Sequence, residues 1–152
     1  MVDIIHRIGI KAPLARVYEA VATVNGVAGW WTQETTGESK LGGTVHVLFR
    51  AEDGKEKGRM SFEVQKLSPH QEVHWRFTAG PAEWLGTDVT FSLSQQGDQT
   101  LILFGHKNWR EPVEFMAHCS MKWATFLLSL RDLVETGTGK PAPHDLKIDD
   151  WN

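Results

Sequence analysis

The chain contains a single cysteine, Cys119, so it can form no internal disulfide and stands apart from the small secreted domains that depend on them. No apolar run approaches the ~18 residues of a membrane-spanning helix, which excludes membrane insertion by that route. Residues 1–12 lack a basic stretch followed by an apolar one, so no signal peptide is expected and the expected location is cytoplasmic. Neither sign of charge dominates. Sixteen basic and nineteen acidic residues are interspersed and leave a net charge of −3, with no basic stripe to hold nucleic acid. There is no Gly-x-Gly-x-x-Gly and no phosphate-binding loop. The seven histidines, at positions 6, 46, 70, 74, 106, 118 and 144, show no metal-ligand spacing; His70 and His74 are four apart but a turn separates them. Neither a metal nor a cofactor is expected.

What the chain has in abundance is aromatic surface, with seven tryptophans and seven phenylalanines in 152 residues. Rings of that size go into a core or around a cavity. The length is that of one domain and suffices to bury a core without a disulfide or a structural metal.

The stretch from Asn108 to Gly137 reads as one long helix. Its apolar residues, Phe115, Met116, Cys119, Trp123, Phe126, Leu127, Leu130, Leu133 and Val134, recur mostly at steps of three or four. Pro112 suits a first turn, Gly137 suits the stop, and Pro141 and Pro143 prevent re-entry. Residues 111–136 would span roughly 39 Å at ~1.5 Å per residue.

Upstream, Ile4 to Ala12 alternates as a strand, Pro13 to Thr23 reads as a short helix, and Val27 to Trp31 as a second helical turn. Gln33 to Lys40 is polar and predicts a loop. From Leu41 onward the pattern is strand after strand, with Val45-x-Val47-x-Phe49, Met60-x-Phe62-x-Val64, Val73-x-Trp75-x-Phe77, Val89-x-Phe91-x-Leu93, and a last strand from Leu101 to His106. Short strands joined by turns, with no helices between them, make an antiparallel meander. The fold class is therefore α+β: a curved antiparallel sheet wrapped around a long C-terminal helix, with two short helices after the first strand. Residues 1–137 form one domain and 138–152 a polar tail. Where the helix does not fill the concave side of the sheet, an apolar cavity is expected between them.

Several stretches in this order resemble a known family: Ile10-Lys11-Ala12-Pro13, Val17-Tyr18-Glu19-Ala20, Trp30-Trp31, Leu41-Gly42-Gly43, Leu67-Ser68-Pro69, Val73-His74-Trp75-Arg76-Phe77, Thr100 to His106, and Trp123 with Leu127 to Leu130. The chain resembles the START-like, or SRPBCC, superfamily, and within it the family named for the activator of the heat shock protein 90 ATPase. The resemblance implies the helix-grip fold. It leaves function open among carriers of apolar ligands, polyketide-cyclase-like enzymes and cochaperone-like interaction modules.

The candidate ligand-binding residues are those that such a fold would turn inward: Trp30, Trp31, Phe62, Trp75, Phe91, His106, Cys119, Trp123 and Phe126. Trp30 and Trp31 would form a lid, one of them partly exposed. His106 shares a face with Ile102 and Phe104 and would place one titratable group among aromatics, orienting a ligand or serving as acid or base. The alternative is a strand-end histidine bonded to a backbone carbonyl. Cys119 lies on the apolar stripe and reads as a small core residue; His118 beside it points about 100° away around the helix, so the two make no nucleophile–base pair and no catalytic residue is assigned. The expected partner is a hydrophobic small molecule. Leu101 and Leu103 leave the last strand apolar on both faces, explained either by a homodimer contact or by the tail folding back with Trp151.

Overall fold

Alternation drives the middle of the chain into strands, because residues two apart land on the same face of the pleat. In the computed structural model, which describes residues 1–152, the strands are β1 (Val2–Ile10), β2 (Glu34–Gly37), β3 (Thr44–Arg50), β4 (Glu56–Ser68), β5 (Glu72–Ala79), β6 (Asp88–Gln96) and β7 (Gln99–Trp109). The helices are α1 (Leu14–Ala22), α2 (Val24–Trp30) and α3 (Glu114–Thr136), and one tight helical turn, Ala82–Trp84, lies between β5 and β6. All neighbouring strands run antiparallel in a single sheet of order β1-β7-β6-β5-β4-β3-β2. The buried residues of each strand, such as Val45, Phe62, Trp75, Phe91 and Phe104, join the buried side of α3 in one hydrophobic cluster. This is the helix-grip arrangement.

Two boundaries differ from the sequence reading. The segment Gln33 to Lys40, read as a loop, contains β2, whose Thr35 pairs with Val47 and is buried. The long helix begins at Glu114 rather than at 111, because β7 keeps pairing with β1 as far as Val2–Trp109. Pro112 consequently lies outside the helix. The 23 residues of α3 span roughly 34 Å, and Gly137 closes it in a left-handed conformation, its N–H bonded to the Leu133 carbonyl.

The tail packs against the domain. Ala142 bridges to Thr32, its N–H donating to the Trp31 carbonyl at 2.8 Å. Buried Ser129 joins three elements: its hydroxyl donates to the Trp30 carbonyl at 2.9 Å and accepts from the Lys140 N–H at 2.7 Å. The ammoniums of Lys122 and Lys147 both reach the buried Asp145. Burial pushes that carboxyl's pKa upward, but the two cations outweigh it and hold it low. Trp151 does fold back, but onto Phe115 and His118 of α3, at 6.4 and 5.5 Å between ring centres. It does not cover the last strand, and Leu103 stays 53% exposed. No helix is long and apolar enough to cross a membrane.

Removing the Ser129 hydroxyl strands a buried carbonyl and a backbone N–H at once. Ser129→Ala is expected to lower the unfolding free energy by about 1–3 kcal/mol. Met121→Ala, on the exposed side of the same helix, should change it by less than about 0.5 kcal/mol. Urea melts of the two variants beside the parent check both values.

Candidate functional site

The inward faces of β3 to β7, the end of α2 and one face of α3 converge on a mass of rings. Trp31 lies at its centre. Its indole is 5.0 Å from Trp123 of α3, 5.8 Å from Trp75, 6.5 Å from Phe62 and 6.1 Å from Trp30, centre to centre. Phe62 stacks on Trp75 at 4.1 Å, and Phe91 meets Trp75 edge-on at 5.0 Å. These are spacings of close-packed aromatic pairs. Of the nine residues assigned to the site from sequence, all are buried, and Trp30, Trp31, Phe62, Trp75, Phe91, His106 and Trp123 belong to one connected set of rings. Phe126 sits to one side, against Phe49 and under the Lys122 ammonium at 5.0 Å.

The structure differs from expectation in two respects here. Neither Trp30 nor Trp31 is partly exposed; both are buried, Trp31 packed between Trp75 and Trp123 and the Trp30 indole N–H donating to the Ala20 carbonyl at 2.8 Å. The space expected to be an open apolar cavity is occupied by the rings themselves. The largest recesses, of about 570 Å³ beside Met121 and Trp151 and about 400 Å³ beside His46 and Arg59, lie on the outside of the molecule.

His106 is the one basic group inside. It lies within β7, not at a strand end, and both ring nitrogens are engaged by side chains rather than by a backbone carbonyl. Trp123 Nε1 donates to Nδ1 at 3.0 Å. An indole N–H can only donate, so Nδ1 is bare and the ring proton sits on Nε2. Nε2 donates to Thr87 Oγ1 at 2.8 Å, and the Thr87 hydroxyl donates onward to the Trp84 carbonyl at 2.6 Å. Burial pushes the imidazole pKa down to about 3, against a weaker upward pull from Asp88. Cys119 responds to the same surroundings: burial pushes its thiol up to about 12, with the Trp84 indole acting the other way. Neither group is poised to exchange a proton near neutrality.

The polar accounting is complete at His106 and incomplete around it. The indole N–H groups of Trp75 and Trp109 are buried with no hydrogen-bond acceptor in the protein, and that of Trp84 has only the Cys119 sulfur beside it, a weak acceptor outside good hydrogen-bond geometry. Trp84 and Trp109 flank His106 at 4.8 and 5.0 Å, with Phe77 at 5.6 Å. Sequence reading missed both tryptophans. Trp84 falls in a stretch read as turn and strand start. Trp109 falls at the head of the stretch read as the long helix; in the structure it ends β7, where Asn108, with φ 72°, interrupts the pleat and turns Trp109 to the interior. The tryptophan count was the one available signal.

Asp88, on the outer face of β6, is 6% exposed, because His74 Nε2, Arg76 Nε and Asn108 Nδ2 all point at its carboxylate within 2.8–3.0 Å. On that same side of the sheet His46 Nδ1 lies 2.7 Å from Ser61 Oγ. These residues sit opposite one another on paired strands, with the backbone amides around them committed to the ladder, so no oxyanion donors face the serine.

Residues 11–135 match the family model of activator of Hsp90 ATPase homolog 1-like proteins. No curated protein matches the chain. Among solved structures, the Aha1 dimer from Colwellia psychrerythraea is 44% identical, with 91% of this chain and all of that one covered and a TM-score of 0.77. MLL2253 from Mesorhizobium loti is 17% identical, covering 88% of this chain and 97% of that one, TM-score 0.74. DynU16, a protein of the dynemicin biosynthetic locus, is 19% identical over 90% of this chain and 48% of that one, TM-score 0.74. The last two establish the fold alone.

A histidine held neutral by burial binds fewer protons folded than unfolded. Its contribution to stability is therefore whole above its ordinary value of 6.5 and is lost as pH falls toward about 3. Between pH 6.5 and 4.5, above the range of most carboxylates, the unfolding free energy should fall by up to ~1.4 kcal/mol per pH unit. Much of that slope should be absent in His106→Gln, whose amide can accept from Trp123 and donate to Thr87. Chemical denaturation at several pH values tests it, and equal slopes in both proteins would refute the assignment.

Proposed function

The chain belongs to the activator of Hsp90 ATPase homolog 1-like family, and from that premise we propose that it binds a small apolar molecule carrying a hydrogen-bond acceptor, admitted into the aromatic interior between the sheet and α3. The observation that carries this reading is the pair of buried indole N–H groups of Trp75 and Trp109 with no acceptor in the protein, beside Trp84, whose N–H has only the weakly accepting Cys119 sulfur. Each such donor costs about 1–3 kcal/mol when left unpaired. A carbonyl or ether oxygen on an apolar guest would relieve that cost, and the surrounding rings would bury the rest of the guest.

Room has to come from a ring that can move. Trp84 is the candidate, because it alone among the six buried tryptophans sits on a strand connection rather than on a strand, on a helix or beside a helix end. Gly80 and Gly86 bracket it at φ 139° and 78°, backbone conformations that suit glycine and mark places where the chain can pivot. What holds the connection down from outside is the exposed Arg110, whose guanidinium donates to the Ala82 and Leu85 carbonyls at 3.2 and 3.3 Å. Swinging Trp84 out would expose Phe77, His106, Trp109, Cys119 and Trp123 as the walls of the site. Binding is favoured over catalysis because His106 is neutral with both nitrogens taken, and Cys119 is a protonated thiol. A polyketide-cyclase-like reaction would need a second polar group converging on His106, and the groups that converge there are already bonded to it.

The test is tryptophan fluorescence titrated with 9-fluorenone and with fluorene, planar molecules of one shape that differ by a carbonyl. Saturable quenching by fluorenone, with fluorene weaker by about tenfold, is expected from one hydrogen bond to an indole. Arg110→Ala should speed the approach to saturation without weakening it. Equal affinity for the two probes, or no saturation by either, would overturn the reading.

A further inference from the structure

The first strand has two edges, and only one of them is used. β1 pairs with β7 from Ile4 to Ile10 and again at Val2, with a break in register on either side of Asp3; α3 packs on its inner face, where His6 Nε2 meets the Ser120 carbonyl at 3.0 Å, and its other side meets no strand. The opposite rim of the sheet is different: β2 has only four residues, its Glu34 is tied to Arg50, and the tail bridges beside it at Thr32. A nine-residue open edge is a ready template for another strand unless something blocks it.

The outward-facing residues of β1 are Asp3, Ile5 and Arg7. Ile5 is 61% exposed, and Leu103, also exposed, stands opposite Arg7 on β7. Asp3 and Arg7 enter no ion pair within the chain. One oxygen of Asp3 accepts from the Asn108 N–H at 2.9 Å, and the other is unengaged. Acid, apolar residue and base thus stand at equal spacing along one face.

That pattern is self-complementary about a two-fold axis. With Ile5 set against Ile5 of a second copy, antiparallel pairing puts Asp3 of each chain opposite Arg7 of the other, so the two ion pairs form together and flank an apolar contact. Sliding the copies by two residues either way sets Ile5 against a charge. Sliding further sets Asp3 against Asp3 or Arg7 against Arg7. Only the register centred on Ile5 pairs every member. We propose that β1 is a homodimer interface, in which two copies join edge to edge through this register and their sheets become one. The relative 44% identical to this chain is described as a dimer; the surface named here follows from this chain's own residues and does not depend on the ligand reading.

Sedimentation velocity over about a hundredfold range of concentration reads the association by mass action. The parent is expected to be dimeric at the upper end. Arg7→Asp, which sets like charges opposite one another twice, should raise the dissociation constant by at least roughly tenfold and leave the melting of the isolated chain unchanged, since Arg7 has no intrachain ion pair. The exchange Asp3→Arg with Arg7→Asp should restore the dimer. Ile5→Asp, at an exposed position, should also abolish it. A parent that stays monomeric throughout, a dimer that survives both Ile5→Asp and Arg7→Asp, or a charge exchange that fails to restore a dimer lost in Arg7→Asp would each overturn the proposal. A dimer insensitive to all of these would lie elsewhere, for instance on the side of α3 that exposes Met121 and Leu128.

Discussion

An imidazole can lie inside an aromatic interior only if each of its nitrogens finds a partner of the right kind, and satisfying His106 ties three parts of this fold together. Its Nδ1 needs a donor, and Trp123 supplies one from the middle of α3. Its Nε2–H needs an acceptor, and Thr87 supplies one at the threshold of β6. Thr87 in turn fixes the Trp84 carbonyl and so the end of the tight turn. A one-residue slip of β7 would turn His106 outward and Gly105 and Lys107 inward, undoing both of its hydrogen bonds. The helix is gripped by the shape of the sheet, but the position of Trp123 along it is set by a hydrogen bond that tolerates little error.

The contrast with the neighbouring indoles gives the interior its character. One polar side chain is satisfied to the last proton, while within the same packed volume the Trp75 and Trp109 indoles are left with no acceptor and Trp84 with only a thiol sulfur. Apolar substitutes such as phenylalanine would fill much of the same volume without stranding a donor. The indoles make sense together if the interior is not always closed, and the one tryptophan carried on a glycine-bounded connection is the one whose departure would uncover Trp109.

Much of the architecture was legible because it rests on periodicity. Alternating residues such as Val73, Trp75 and Phe77 place themselves on one face whatever the tertiary context, and steps of three and four from Cys119 to Val134 do the same for a helix. The parts that were not legible depend on contacts between distant segments. β2 has no apolar alternation of its own and is a strand because β3 offers it an edge. The start of α3 is decided by how far β7 stays paired with β1, not by Pro112. Trp109 is inside because Asn108 breaks the pleat, and nothing local announces that. The candidate residues were correctly placed in the core, yet whether rings in a core touch one another or surround a space depends on their rotamers, which periodicity does not encode. The partners of His106 lie 19 and 17 residues away along the chain and are joined to it only through the fold.

The first strand shows how one alternation can carry two constraints. Its even positions, Ile4 and Ile10 above all, are buried and anchor the sheet's rim to the core. Its odd positions carry the acid, the apolar residue and the base that face outward. Because the pleat has a period of two, the register that buries the first set necessarily presents the second. Ile4 pairs with His106, so strands added at the β1 edge would brace the ladder that holds the imidazole in place. The connection bearing Trp84 lies on the far side of β7 from that edge, between β5 and β6. Bracing at the β1 rim and opening at the β5–β6 connection therefore act on different backbone segments, and association need not close the interior to a guest.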